Sequence, residues 1–96
     1  MRTIERSTAF KRDYKRIKLT PRYRKDLDSL LFDILKFLLN DKALPEKYLD
    51  HSLSRNWYGY RECHLKPDLL FLLIYKKPDE SKLRLARLGS HSGLFD

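Results

Sequence analysis

The sequence predicts an α+β fold of order β-α-α-β-β-β, with two N-terminal helices packed on one face of a small antiparallel-meander sheet. Three observations predict it. Apolar residues recur at helical spacing through the first forty positions. A run apolar on both faces, Leu69 to Tyr75, suits a central strand. Further strand-like segments lie on either side of that run, joined by short polar links, as a meander requires. The chain of 96 residues is 42% hydrophobic, which suits one folded domain over 1–96. A chain of that length buries roughly two-thirds of its unfolded surface, so its core must be compact.

Thr3 to Arg6 alternates weakly and is expected to form a short first strand. Ser7 or Thr8 then offers a helix N-cap. Phe10, Tyr14 and Ile17 follow on one helical stripe, with Lys11, Arg12, Lys15 and Arg16 on the other faces. Thr20-Pro21 reads as N-cap and first position of a second helix running to Asn40. Its stripe is Leu27, Leu30, Leu31, Ile34, Leu35, Leu38 and Leu39. Residues 43–48 read as a loop with one helical turn. Trp57 to His64 is aromatic-rich and strand-like, and Lys66-Pro67-Asp68 marks a turn. Lys76 to Ser81 is a polar link, and Leu83 to Leu88 is a last strand stopped at Gly89.

The formal charge is +8. Residues 1–26 hold ten Lys/Arg against three Asp/Glu, or +7, so the excess sits in the N-terminal quarter. Such a concentration attracts polyanions by steering and counterion release. It suits nucleic acid, an acidic protein partner, or both in turn; plain surface solubility is the bland alternative. Cys63 stands alone and cannot form an intramolecular disulfide. Its apolar neighbours make it a buried small hydrophobe rather than a nucleophile. Met1 to Glu5 begins no apolar signal segment, and no apolar run is long enough to span a bilayer. The expected location is the cytoplasm.

Cutting RNA with side chains alone sets a definite list of needs. A base takes the proton of a 2′-OH, and that oxygen attacks the adjacent phosphorus. Cations stabilise the phosphoryl oxygens, and an acid protonates the departing 5′-oxygen. His51, His64, Asp68, Arg87, His91 and Phe95 cover this list, with Phe95 able to stack on a base. Taken singly, each also has a bland reading as a surface, turn or packing residue. Three histidines and an aspartate also admit a zinc reading, which the lack of close ligand spacing such as His-x₃-His disfavours.

The second half of the chain resembles the YafQ-type branch of the RelE toxin superfamily. The matching residues are Asp50-His51-Ser52-Leu53, Trp57 through His64, Pro67-Asp68, Ile74-Tyr75, and Arg87 through Phe95. The likeness is strong from Pro45 to Asp96; the two N-terminal helices match only in pattern and basic character. The resemblance implies a RelE-like microbial ribonuclease fold and a toxin of a type II toxin–antitoxin pair. It implies ribosome-dependent cleavage of messenger RNA in the A site, with no metal and no cofactor. His91 would be the main acid/base residue, with His51, His64 and Asp68 sharing proton transfer and charge stabilisation. Arg87 would hold phosphate, Phe95 would position the substrate, and Lys11, Arg12, Lys15 and Arg16 would meet 16S ribosomal RNA. The implied partners are a cognate antitoxin, the ribosome and its message, and operator DNA through the antitoxin only; no membrane is involved. The segment after Asp68 is about two residues longer than usual, with Leu69 where Trp is common. Two residues preserve strand parity, and a bulge or longer hairpin would absorb them.

Two other classes remain as alternatives. A non-enzymatic ParE-like toxin that binds gyrase shares this fold and needs no His/Asp cluster, so its toxicity survives loss of all three histidines. A simple nucleic-acid-binding module binds in a salt-sensitive way without turnover.

Overall fold

The computed structural model describes residues 1–66, 71–90 and 94, and only the backbone of Arg22 and Tyr23. Five strands form one sheet: β1 (Thr3–Arg6), β2 (His51–Ser52), β3 (Arg61–His64), β4 (Phe71–Lys76) and β5 (Lys82–Ser90). Their spatial order is β1-β5-β4-β3-β2. The expected meander is present in β3-β4-β5, each pair antiparallel, with β4 at the centre. The expectation of a wholly antiparallel sheet is corrected by β1, which pairs parallel to β5 at one edge. The intervening helices return the chain in the direction that a parallel pairing needs.

Helix α1 (Thr8–Lys18) starts where the capping residue predicts. Ser7 is extended, and its Oγ accepts the Phe10 N–H at 2.9 Å. Its basic last turn, Lys15, Arg16 and Lys18, complements the helix dipole. The single second helix expected from Pro21 is instead divided. One turn, α2 (Pro21–Arg24), precedes a longer α3 (Leu27–Leu39). The apolar stripe explains the break. Positions 22–25 carry three cations and no aliphatic residue, whereas Leu27, Leu31, Ile34 and Leu38 form the buried stripe of α3. The region 43–48 contains the expected turn, a 3₁₀ turn at Glu46–Tyr48. A second 3₁₀ turn at Arg55–Trp57 takes the place of the start of the strand expected from Trp57.

The core lies between the helices and one face of the sheet. Phe10, Ile17, Leu27, Leu31 and Ile34 pack with Cys63, Phe71, Leu73, Tyr75, Leu83, Leu85 and Leu88. Cys63 is fully buried, and burial pushes its thiol pKa far up, so it is a packing residue as expected. The alternation in β4 sends Leu72 and Ile74 to the other face, where they are buried as well.

One irregularity fixes what that second face displays. Ile74 pairs with Arg87 but Tyr75 pairs with Leu85, so Ala86 is an extra residue in β5. Leu85 and Leu88 therefore both reach the helix-side core although their positions differ in parity. The bulge turns Arg87 onto the opposite face.

Candidate active site

Two adjacent rungs cross the sheet on the face away from the helices. Along the first, His51 on β2 faces Glu62 on β3, Glu62 faces Ile74 on β4, and Ile74 faces Arg87 on β5. Along the second, His64 faces Leu72, which faces Gly89. Directly paired residues project to the same side, so these rungs place two imidazoles, a carboxylate and a guanidinium over one apolar floor.

Glu62 is the centre of the polar group. Its side chain is buried, and its Oε1 lies 3.5 Å from His51 Nε2 and 3.7 Å from His64 Nε2. That is ion-pair reach for either imidazole when it carries a proton. His51 Nδ1 donates to the Leu49 carbonyl oxygen at 2.8 Å. A carbonyl only accepts, so Nδ1 carries a hydrogen and Nε2 is the nitrogen free to exchange a proton. Leu49 adopts a left-handed conformation to present that carbonyl, with φ 50°. A non-glycine residue there is strained, and such strain gathers at functional sites. His51 is half exposed (51%) whereas His64 is largely enclosed (13%). Among the described residues, the buried His64 Nδ1 has no hydrogen-bond partner. The loop ahead of His51 is tied down by Asp50, whose carboxylate accepts from Tyr75 Oη at 2.6 Å and Arg61 Nη2 at 3.1 Å.

Arg87 is held by an acid that the sequence analysis did not assign. Asp13 of α1 is buried (2% exposed), and its Oδ2 accepts from Arg87 Nε at 2.7 Å and from the Leu88 N–H at 3.0 Å. Its Oδ1 accepts from Arg87 Nη2 at 3.2 Å and Arg16 Nη2 at 3.1 Å. The Leu88 N–H needs this acceptor because β1 ends opposite Leu85, so among the described residues no strand reaches Leu88 on that edge. Burial alone would raise the Asp13 carboxyl pKa; the hydrogen bonds from Arg87 and Leu88 and the neighbouring positive charges outweigh it and hold it below the usual range.

His51, His64 and Arg87 thus share one face. Asp68, His91 and Phe95 lie outside the described residues. Lys11, Arg12, Lys15 and Arg16 are all exposed on α1, but Arg16 is tethered to Asp13 rather than free like an ordinary surface cation. Glu62 and Asp13 are the residues sequence reasoning missed. Glu62 had a signal, since it stands two residues before His64 and shares its face in any strand. Asp13 had one as well: it is three residues after Phe10 and four before Ile17, on the buried stripe of α1.

The family described as a bacterial toxin of type II toxin-antitoxin system, YafQ, matches residues 2–96. The chain belongs to the YafQ toxin family. Its curated relatives include the mRNA interferase toxin YafQ of Escherichia coli, 39% identical over 94 residues, covering 98% of this chain and 96% of the relative. Among solved structures, a copper-bound mutant toxin from Helicobacter pylori aligns with TM-score 0.86 at 35% identity, over 99% of this chain and all of the other. The DinJ–YafQ complex of E. coli aligns with TM-score 0.78 at 38% identity, over all of both chains. In this YafQ-family toxin, no described helix is long and apolar enough to cross a membrane.

Glu62→Gln keeps the shape but removes the charge between the two imidazoles. A charge-assisted contact exceeds a neutral one by enough to cost about tenfold in rate. Cleavage by the variant should fall by that order while its melting temperature stays near wild type. Full activity in Glu62→Gln would show that the carboxylate only fills space.

Proposed function

We propose that this toxin is a ribosome-dependent endonuclease that cuts messenger RNA in the ribosomal A site by acid/base catalysis without a metal. The observation that carries the reading is the rung pattern: two imidazoles on one buried carboxylate, on the same face as an anchored guanidinium. The relatives named mRNA interferase supply the substrate class. One imidazole accepts the 2′-OH proton as the 2′-oxygen bonds to phosphorus. The bond from phosphorus to the 5′-oxygen breaks, and a protonated imidazole gives that oxygen its proton. The products are a cyclic phosphate and a 5′-hydroxyl. Arg87 neutralises the phosphoryl oxygens throughout. His91 is the main acid/base residue, His51, His64 and Asp68 share proton transfer and charge stabilisation, and Phe95 positions the substrate. Lys11, Arg12 and Lys15 meet 16S ribosomal RNA, where exposed cations gain from counterion release.

The natural inhibitor is a cognate antitoxin, as the E. coli DinJ–YafQ complex suggests. A groove of about 510 Å³ between β1, α1 and α3, lined by Ile4, Phe10, Tyr14, Leu31 and Leu35 and rimmed by Arg6 and Lys11, suits an amphipathic acidic segment. Operator DNA is reached through the antitoxin.

Primer-extension mapping of messages in cells induced for the wild type or His91→Ala tests the reading. Codon-linked cuts are expected with the wild type and none with the variant. Intact transcripts alongside full growth arrest would end it.

A further inference from the structure

We propose that Arg16 is a second phosphate-binding guanidinium of this site, held beside Arg87 by the carboxylate they share. The proposal rests on the message-cleaving reading above and adds a residue to it. Asp13 receives four donors, and two guanidinium groups around one carboxylate leave a net positive charge. The pair is therefore anchored without being neutralised. Arg16 is 64% exposed, so most of its fork still faces solvent and can meet a ligand.

Where that fork lies is decided by Gly89. A first side-chain carbon at Gly89 would stand 3.9 Å from Arg16 Nη2. That carbon would project on the same side as Leu72 and His64, because the three are paired across one rung. Arg16 thus reaches around the edge of β5 beyond the end of β1 and over the catalytic face. His64 sits two strands away along the same rung, about 10 Å at the usual strand spacing. Leu94 packs at the same point, with its Cδ2 and Cγ 3.5 and 3.7 Å from where that first carbon would stand, so an apolar side chain lies beside the guanidinium over Gly89. The exposed part of the Arg16 fork meets a phosphodiester at the rim of that packed patch, with the imidazole toward its other flank.

The chemistry decides which step Arg16 serves. A phosphodiester in the ground state carries one negative charge, which the single net positive charge of the Asp13, Arg87 and Arg16 group balances. As the deprotonated 2′-oxygen attacks, a second charge develops on the equatorial oxygens. The N–H donors of the Arg16 fork strengthen as that charge develops, so their contribution falls on the rate more than on binding.

The test uses purified toxin in excess over ribosomes carrying one defined message, in single turnover. Arg16→Gln is expected to lower the saturated cleavage rate by about 10–100-fold, the worth of one hydrogen bond to a charged group. The half-saturating toxin concentration should stay near wild type. Arg16→Lys should recover part of the rate, since it restores charge without the planar fork. Lys36→Gln, the same charge loss on the far helix, should cleave like wild type. Melting curves for both Arg16 variants check that the fold is kept. Wild-type rates at saturation for Arg16→Gln, with only a raised half-saturating concentration, would make Arg16 an ordinary ribosome contact and overturn the proposal. Absence of cleavage by the wild type itself would instead overturn the underlying reading.

Discussion

His64→Gln is expected to lower message cleavage by roughly 10²–10⁴-fold, the range that a positioned acid or base supplies. His64 is the enclosed imidazole of the pair, next to the buried Glu62 and on the rung that ends at Gly89. Glutamine approximates its size and still hydrogen-bonds, but it cannot carry a proton between substrate and solvent. The measurement is a single-turnover rate against pH, and one limb of the wild-type profile should vanish in the variant. Growth arrest in cells should weaken in parallel. The ParE-like alternative makes the opposite forecast: toxicity that persists with His51, His64 and His91 all replaced, and with gyrase inhibited. That outcome would remove the enzyme reading altogether.

Asp13→Ala is expected to be the most destabilising single change among the residues discussed. It strips the part-buried Arg87 guanidinium of its buried partner and leaves the Leu88 N–H without its acceptor. Breaking a buried pair by removing one member costs about 3–5 kcal/mol. For a domain near this size, that corresponds to a fall in melting temperature on the order of 15–30 °C. Removing Arg87 as well, in Asp13→Ala/Arg87→Met, should restore part of the loss, because no unpaired charge remains. The effect also depends on acid. The folded pKa of Asp13 is held below its ordinary 3.8, so its contribution is complete above that pH and disappears as pH falls through the folded value. The gap in melting temperature between wild type and Asp13→Ala should therefore be constant from about pH 5 to 8 and narrow below about pH 4. A cost under about 1 kcal/mol at neutral pH would mean that Arg87 finds another partner.

How much of this was legible in the sequence follows from what kind of signal each feature leaves. The helix start at Ser7 was readable because capping is a local contact over three residues. The central place of β4 was readable because burial on two faces demands an unbroken apolar run. The parallel pairing of β1 was not readable. It depends on which edge the chain returns to, and four weakly alternating residues say nothing of that. The break between α2 and α3 left a trace in the late start of the apolar stripe, but proline after threonine outweighed it. Among site residues, histidines attract notice because few side chains titrate near neutrality. Glu62 and Asp13 do not, since the chain has thirteen acids and most are solvated surface. Their spacing to His64 and to the Phe10–Ile17 stripe hints at burial, but only the assembled sheet turns that hint into a buried carboxylate.

The extra residue at Ala86 carries a consequence for how this chain can vary. Straightening β5, so that Ala86 took a place in the ladder, would swing the Arg87 guanidinium in toward the helix-side core and send Leu88 out toward the RNA, whereas deleting Ala86 would leave Arg87 opposite Ile74. One residue between Leu85 and Arg87 exchanges inside and outside unless it is looped out. The looping-out of a single small side chain therefore stands between the toxin and an inert fold of nearly the same shape.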